Sequence, residues 1–135
     1  MKIIGIGTDI VEIARLKASL KRFHSAFYER ICSTDELFYA GSRKDDVNFL
    51  AGRWAAKEAA AKALGCGIGR HCSFTDIEIF NNADGRPEMS FTGNARHYFH
   101  SLGGTTINLS ISHEKNYAVA TVLLTGEETN GTEKK

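Results

Sequence analysis

Residues 49–64, FLAGRWAAKEAAAKAL, constrain this chain more than any other stretch. Alanine, leucine, lysine and glutamate are the best helix formers, and Gly65 supplies the residue at which such a helix stops. One long helix is expected here, followed by a glycine-dense loop over 65–69. Trp54, Glu58 and Lys62 are four apart and share one helix face, with Arg53 and Lys57 on the same helix.

The rest of the pattern divides into helices first and strands later. Residues 2–10 mix β-branched side chains with Gly5 and Gly7, which predicts a short opening strand with close backbone approaches. Ile13, Leu16, Leu20, Phe23 and Phe27 then recur at spacings of three and four, the signature of an amphipathic helix with an apolar inside. Arg15 and Arg22, flanked by Lys21, fall on the opposite, basic face. Ser33 and Glu36 stand at capping-box spacing. Residues 76–80 (DIEIF), the turn 81–87 (NNADGRP) and a return strand over 88–91 predict a hairpin. A short helix over 94–102 and strands at 107–112 and 117–124 complete the series. The order implies an α+β fold in a single domain over residues 1–125, with a polar, disordered tail over 126–135.

Composition bounds the function. The 135 residues are 42% apolar, enough for the core of one domain, though a domain this small often shares an interface with another copy. Seventeen basic against sixteen acidic residues argue against a general nucleic-acid binder, so an electrostatic partner surface must come from local clustering. Cys32, Cys66 and Cys72 are odd in number and lack zinc spacing, and read as reduced thiols. The opening apolar run reaches Asp9 and Glu12 too early for a signal peptide or membrane anchor. The cytoplasm is the expected location.

Two acidic residues could carry chemistry. Asp9, after Gly5 and Gly7, either projects from a strand end towards a ligand or caps the helix that follows. Glu58 either forms an exposed ion pair with Lys62, worth ~0.3–0.5 kcal/mol, or joins Asp9 around a hard cation. Mg²⁺ takes one or two carboxylates together with waters and phosphate oxygens. Two carboxylates about 5 Å apart repel by ~3 kcal/mol at an effective dielectric of 20, so such a pair needs a cation or a shared proton between them. Spacing alone leaves both readings open. His113 is equally readable as a turn residue, and His24, His71, His97 and His100 belong to no motif.

Four blocks resemble the holo-acyl-carrier-protein synthase type of the 4′-phosphopantetheinyl transferase family: GIGTDIVEIAR (5–15), FYERICSTDE (27–36), FLAGRWAAKEAAAKALGCGIG (49–69) and SISHEKNYAVATV (110–122). They stand in the family's order and spacing, the NNADGRP turn fits as well, and the match spans residues 3–124. Trp54 replaces a common Phe, and Ala61 replaces a Ser found in several members, which removes a hydroxyl from that helix.

The resemblance implies an enzyme of fatty acid biosynthesis with the 4′-phosphopantetheinyl transferase fold, a long helix packed on a small antiparallel sheet. It would move the 4′-phosphopantetheine of coenzyme A to a serine of apo-acyl carrier protein and release adenosine 3′,5′-bisphosphate. Asp9 and Glu58 match the Mg²⁺ ligands, and Lys62 matches the lysine that neutralises the pyrophosphate. Arg53, Lys62, Gly65, Gly85, Pro87 and His113 match the coenzyme A site. Arg15, Lys21 and Arg22 match the face that docks the acidic carrier. Glu58, directly or through a metal-bound water, is the implied general base, with Asp35 second. The family forms homotrimers with active sites between subunits. The competing reading is a non-catalytic module that binds an acidic partner, which requires Asp9 to be only a cap and Glu58–Lys62 only an ion pair.

Overall fold

The computed structural model describes residues 1–40 and 47–128, apart from the side chains of residues 24, 25 and 40. Strand β1 (Lys2–Glu12) leads into α1 (Ile13–Ile31), α2 (Thr34–Ala40) and α3 (Val47–Leu64). A 3₁₀ turn at Phe74–Asp76 precedes the hairpin β2 (Ile77–Asn81) and β3 (Pro87–Phe91). Helix α4 (Gly93–Ser101) and strands β4 (Gly104–His113) and β5 (Tyr117–Gly126) follow. The fold is α+β, as expected, but the strands form two antiparallel sheets: β1-β5-β4 and the β2-β3 pair.

Helix α3 is buried almost all round, from Leu50 through Leu64, with only Trp54, Glu58 and Lys62 in that span reaching the surface. A helix with small apolar residues on nearly every side belongs inside a domain, and here the sheet, α1 and β2 enclose it. Its alanines allow the enclosure to be tight. A Cβ on Gly5 would lie 1.9 Å from the Ala63 carbonyl oxygen, and one on Gly7 would lie 2.1 Å from that of Ala59. The two glycines of the opening strand are therefore the condition for laying β1 directly on α3.

Two expectations shift. Phe23 is 53% exposed, with the Arg22 guanidinium over its ring, rather than in the core. The buried face of α1 is centred on Ile13, Leu20 and Ile31 and extends to Tyr28, which leaves Phe23 at its margin. Gly126, assigned above to the tail, is the last residue of β5 and pairs with both Lys2 and Gly104. Residues 129–135 of that tail, and the side chain of His24, lie outside the described residues.

The capping box is present. Ser33 Oγ accepts from the Glu36 amide at 3.2 Å and Glu36 Oε1 accepts from the Ser33 amide at 3.0 Å. Glu36 then does something the motif does not announce. The same Oε1 accepts from the fully buried Lys57 ammonium at 2.6 Å, and Oε2 accepts from the Ile79 amide at 3.0 Å. Lys57 completes its donors with the carbonyls of Ile31 (2.6 Å) and Phe74 (3.0 Å). One satisfied buried ion pair thus joins α1, α2, α3 and the hairpin.

Candidate active site

Asp9 is not a helix cap. β1 continues three residues past it, Asp9 pairs with Ala120 of β5, and the N-cap position of α1 is Glu12. Strand alternation turns Gly7 and Asp9 towards α3, and there Asp9 meets Lys62 rather than leaving Lys62 to Glu58. Lys62 Nζ donates to Asp9 Oδ1 at 2.8 Å and to the Thr8 carbonyl at 3.1 Å. Both conditions of the non-catalytic reading therefore fail.

Asp9 and Glu58 line one cavity of about 310 Å³, walled by Val11, Leu16, Phe27 and Trp54 and reached by Arg15. Phe27 and Trp54 stack with ring centroids 5.4 Å apart. Burial first, and then the neighbouring Asp9 charge, push the Glu58 carboxyl above its usual range. The hydrogen bond from Lys62 to Asp9 holds the lysine above its ordinary value. Two carboxylates that repel across one cavity are groups that could hold a hard cation between them. Glu12 lines the cavity as well, but among the described residues no three acidic, histidine or cysteine side chains are grouped so as to hold a metal ion; a set of two carboxylates is of the kind Mg²⁺ takes, since that ion keeps waters and accepts phosphate oxygens.

A second cavity, about 330 Å³, shares no lining residue with the first. It gathers Asn48, Phe49, Arg53, Asn81, Pro87, Ile111 and His113. Arg53 is buried, its guanidinium 4.4 Å over the Phe49 ring, and its Nη2 donates to Asn81 Oδ1 at 3.1 Å. His113 Nε2 donates to the Asn48 carbonyl at 2.9 Å. Gly52 makes room for it, since a Cβ there would lie 2.7 Å from that nitrogen. A glycine inside a strong helix was the available signal for this approach.

The sequence matches the 4′-phosphopantetheinyl transferase superfamily over residues 5–122. The chain belongs to this superfamily. A holo-[acyl-carrier-protein] synthase of Shewanella frigidimarina is 49% identical over 92% of this chain and 98% of its own. The structure of the Neisseria meningitidis holo-[acyl-carrier-protein] synthase superposes with a TM-score of 0.85 at 39% identity, over 91% of this chain and 98% of that one. The Bacillus anthracis synthase, in complex with CoA (3′,5′-ADP), gives 0.77 at 38% identity over 94% and 100%. The chain is an enzyme of the phosphopantetheine-transferring class.

The remaining residues singled out in this transferase fall in several places. Gly65 ends α3 with φ +82° and Gly85 sits in the β2–β3 turn with φ +81°, left-handed conformations that favour glycine. Arg15, Lys21 and Arg22 are all exposed on α1, but only Arg15 reaches the carboxylate cavity. Asp35 is exposed on α2 and lines neither cavity. Ala61 is fully buried in the core, so a hydroxyl there would face the interior. Burial pushes the Cys32 thiol up to about 11 and Cys72 up to about 12, which marks both as inert. His71 stacks on Tyr98 at the surface of α4, and His97 and His100 are exposed on the same helix. No helix among the described residues is long and apolar enough to cross a membrane.

Proposed function

We infer that this transferase moves 4′-phosphopantetheine from coenzyme A to a serine of apo-acyl carrier protein, in the cytoplasm, to supply fatty acid biosynthesis. The observation that carries the reading is the meeting of Asp9, Glu58 and Lys62 at the junction of β1 and α3. Asp9 and Glu58 would hold Mg²⁺, which when bound screens the charge of the pyrophosphate oxygens. In the transfer, the serine oxygen forms a bond to the β-phosphorus as the bond from that phosphorus to the bridging oxygen breaks. The hydroxyl proton passes to the Glu58 carboxylate. Lys62 holds its ammonium beside the leaving phosphate of adenosine 3′,5′-bisphosphate, where negative charge accumulates.

Coenzyme A would be held by Arg53, Lys62, Gly65, Gly85, Pro87 and His113. Within one chain these residues belong to different surface regions: Lys62 pairs with Asp9 of the first cavity, while Arg53, Pro87 and His113 line the second. A homotrimer in which the first cavity of one subunit faces the second of its neighbour accounts for the division. The outer face of the β1-β5-β4 sheet supports association, since Ile6 and Ile10 are more than 60% exposed there. Arg15, Lys21 and Arg22 would receive the acidic carrier protein.

The test is direct. Purified protein incubated with coenzyme A, Mg²⁺ and apo-acyl carrier protein should add one phosphopantetheine to the carrier, read by intact mass, and chelation of Mg²⁺ should stop it. A carrier whose mass stays unchanged in the complete mixture would refute the proposal.

A further inference from the structure

Helix α1 flanks the carboxylate cavity with one ridge of its surface. Ser19, Phe23 and Phe27 stand four apart, so their side chains follow one another along the same side of the helix. Ser19 and Phe27 both line the cavity that holds Asp9 and Glu58. Phe23, one turn from each, does not line it and is 53% exposed. Among the described residues of α1, no other large apolar side chain is exposed. The ring therefore stands on the outer rim of the cavity, level with the two residues that wall it.

The charges around that rim are mostly of one sign. Exposed Arg15, Lys17, Lys21, Arg22 and Arg30 stand against Glu29 on this helix. The Arg22 guanidinium lies 5.2 Å from the centre of the Phe23 ring, which ties a cation to the apolar surface. Exposed cations steer an acidic partner and are screened by salt. An aromatic side chain that sheds its water on contact adds affinity that salt does not remove. A carrier serine that reaches Glu58 brings the surface around it across this rim.

We propose that Phe23 is a specificity-determining contact for the carrier protein, an anchor for an apolar side chain set among the carrier's acidic residues. Arg15, Lys21 and Arg22 match the acidic part of that surface, and Phe23 matches its apolar centre. The inference rests on the reading of α1 as the helix that docks the carrier.

The experiment compares wild type, Phe23→Ala, Phe23→Leu and the double variant Lys21→Glu with Arg22→Glu at low and high NaCl, normalised to folded protein by circular dichroism. Steady-state transfer gives KM for apo-acyl carrier protein and for coenzyme A. Calorimetry gives Kd for a carrier whose acceptor serine is replaced by alanine. Relative to wild type at the same salt, Phe23→Ala should raise carrier KM and Kd about five- to tenfold at both salt concentrations, with coenzyme A KM and thermal stability unchanged. Phe23→Leu keeps the apolar bulk and should stay within about twofold of wild type. The defect of the double variant should shrink as salt rises. A Phe23→Ala defect that disappears at high salt overturns the proposal, because the ring then acts only through Arg22. Wild-type carrier affinity in Phe23→Ala, alongside weakened affinity in the double variant, also overturns it, as does a Phe23→Leu defect equal to that of Phe23→Ala. Carrier affinity unmoved at low salt in the double variant overturns the docking reading, and the inference with it.

Discussion

Lys62 Nζ lies 2.8 Å from Asp9 Oδ1, which joins residues 53 positions apart in the sequence. Asp9 therefore has a cationic partner before any ligand arrives, while Glu58 in the same cavity has no such close contact with Lys62 among the described residues. Asp9→Ala and Glu58→Ala should each remain folded and lose nearly all transfer activity, measured at saturating Mg²⁺. Asp9 is not a cap, so its loss should cost well under the ~1 kcal/mol of a missing N-cap, read by urea unfolding. Normal turnover in either variant would remove the metal assignment.

The buried pair of Lys57 and Glu36 is expected to matter for stability. Lys57→Met strands an acid that keeps only its two amide donors, and should cost about 3–5 kcal/mol in denaturant unfolding. Adding Glu36→Gln to it should recover part of that loss, since the second change removes the uncompensated charge. Equal stability of the single and double variants would show that the charge is not what the pair stabilises.

Docking and chemistry should separate along α1. Lys21→Glu with Arg22→Glu alters exposed residues outside the carboxylate cavity, and should raise carrier KM about tenfold while sparing KM for coenzyme A. Higher salt should narrow the difference, because exposed charges are screened over ~8–10 Å. Arg15→Glu replaces a cation with a further carboxylate in the cavity of Asp9, Glu12 and Glu58, so kcat should fall as well. Carrier KM unmoved at low salt in the double variant would place the carrier elsewhere.

Gly7→Ala should be far more damaging than an ordinary strand substitution. The new Cβ would stand 2.1 Å from a helix carbonyl that cannot rotate away, and a loss of about 3 kcal/mol or more is expected in thermal or urea unfolding. Near-wild-type stability would mean that β1 and α3 can separate without cost.

Thiol reactivity should follow burial. With folded-state values near 11 and 12, Cys32 and Cys72 are protonated at pH 8, and their thiolates form only as pH rises towards those values. Ellman's reagent should therefore react with at most Cys66 in native protein at pH 8, and with all three thiols after unfolding. Rapid modification of two or more thiols in the native protein would contradict the burial.

Local pattern was enough for most of the elements. The Ala-rich block determined α3, the Ser33/Glu36 spacing determined the start of α2, and the family motifs determined which carboxylates and lysine to watch. Helix propensity, capping and turn chemistry act within a few residues, so a single sequence carries them. It could not decide between a cap and a ligand at Asp9, because that depended on how far β1 ran before α1 began. Pairing with β5 excluded the cap. The partner of Lys62, the burial of Lys57, the place of Gly52 under His113 and the reach of Asn81 to Arg53 were likewise settled only by packing. Each is a contact between elements distant in sequence, formed where burial makes an unmatched charge or an extra methyl costly, and that cost exists only in the assembled fold.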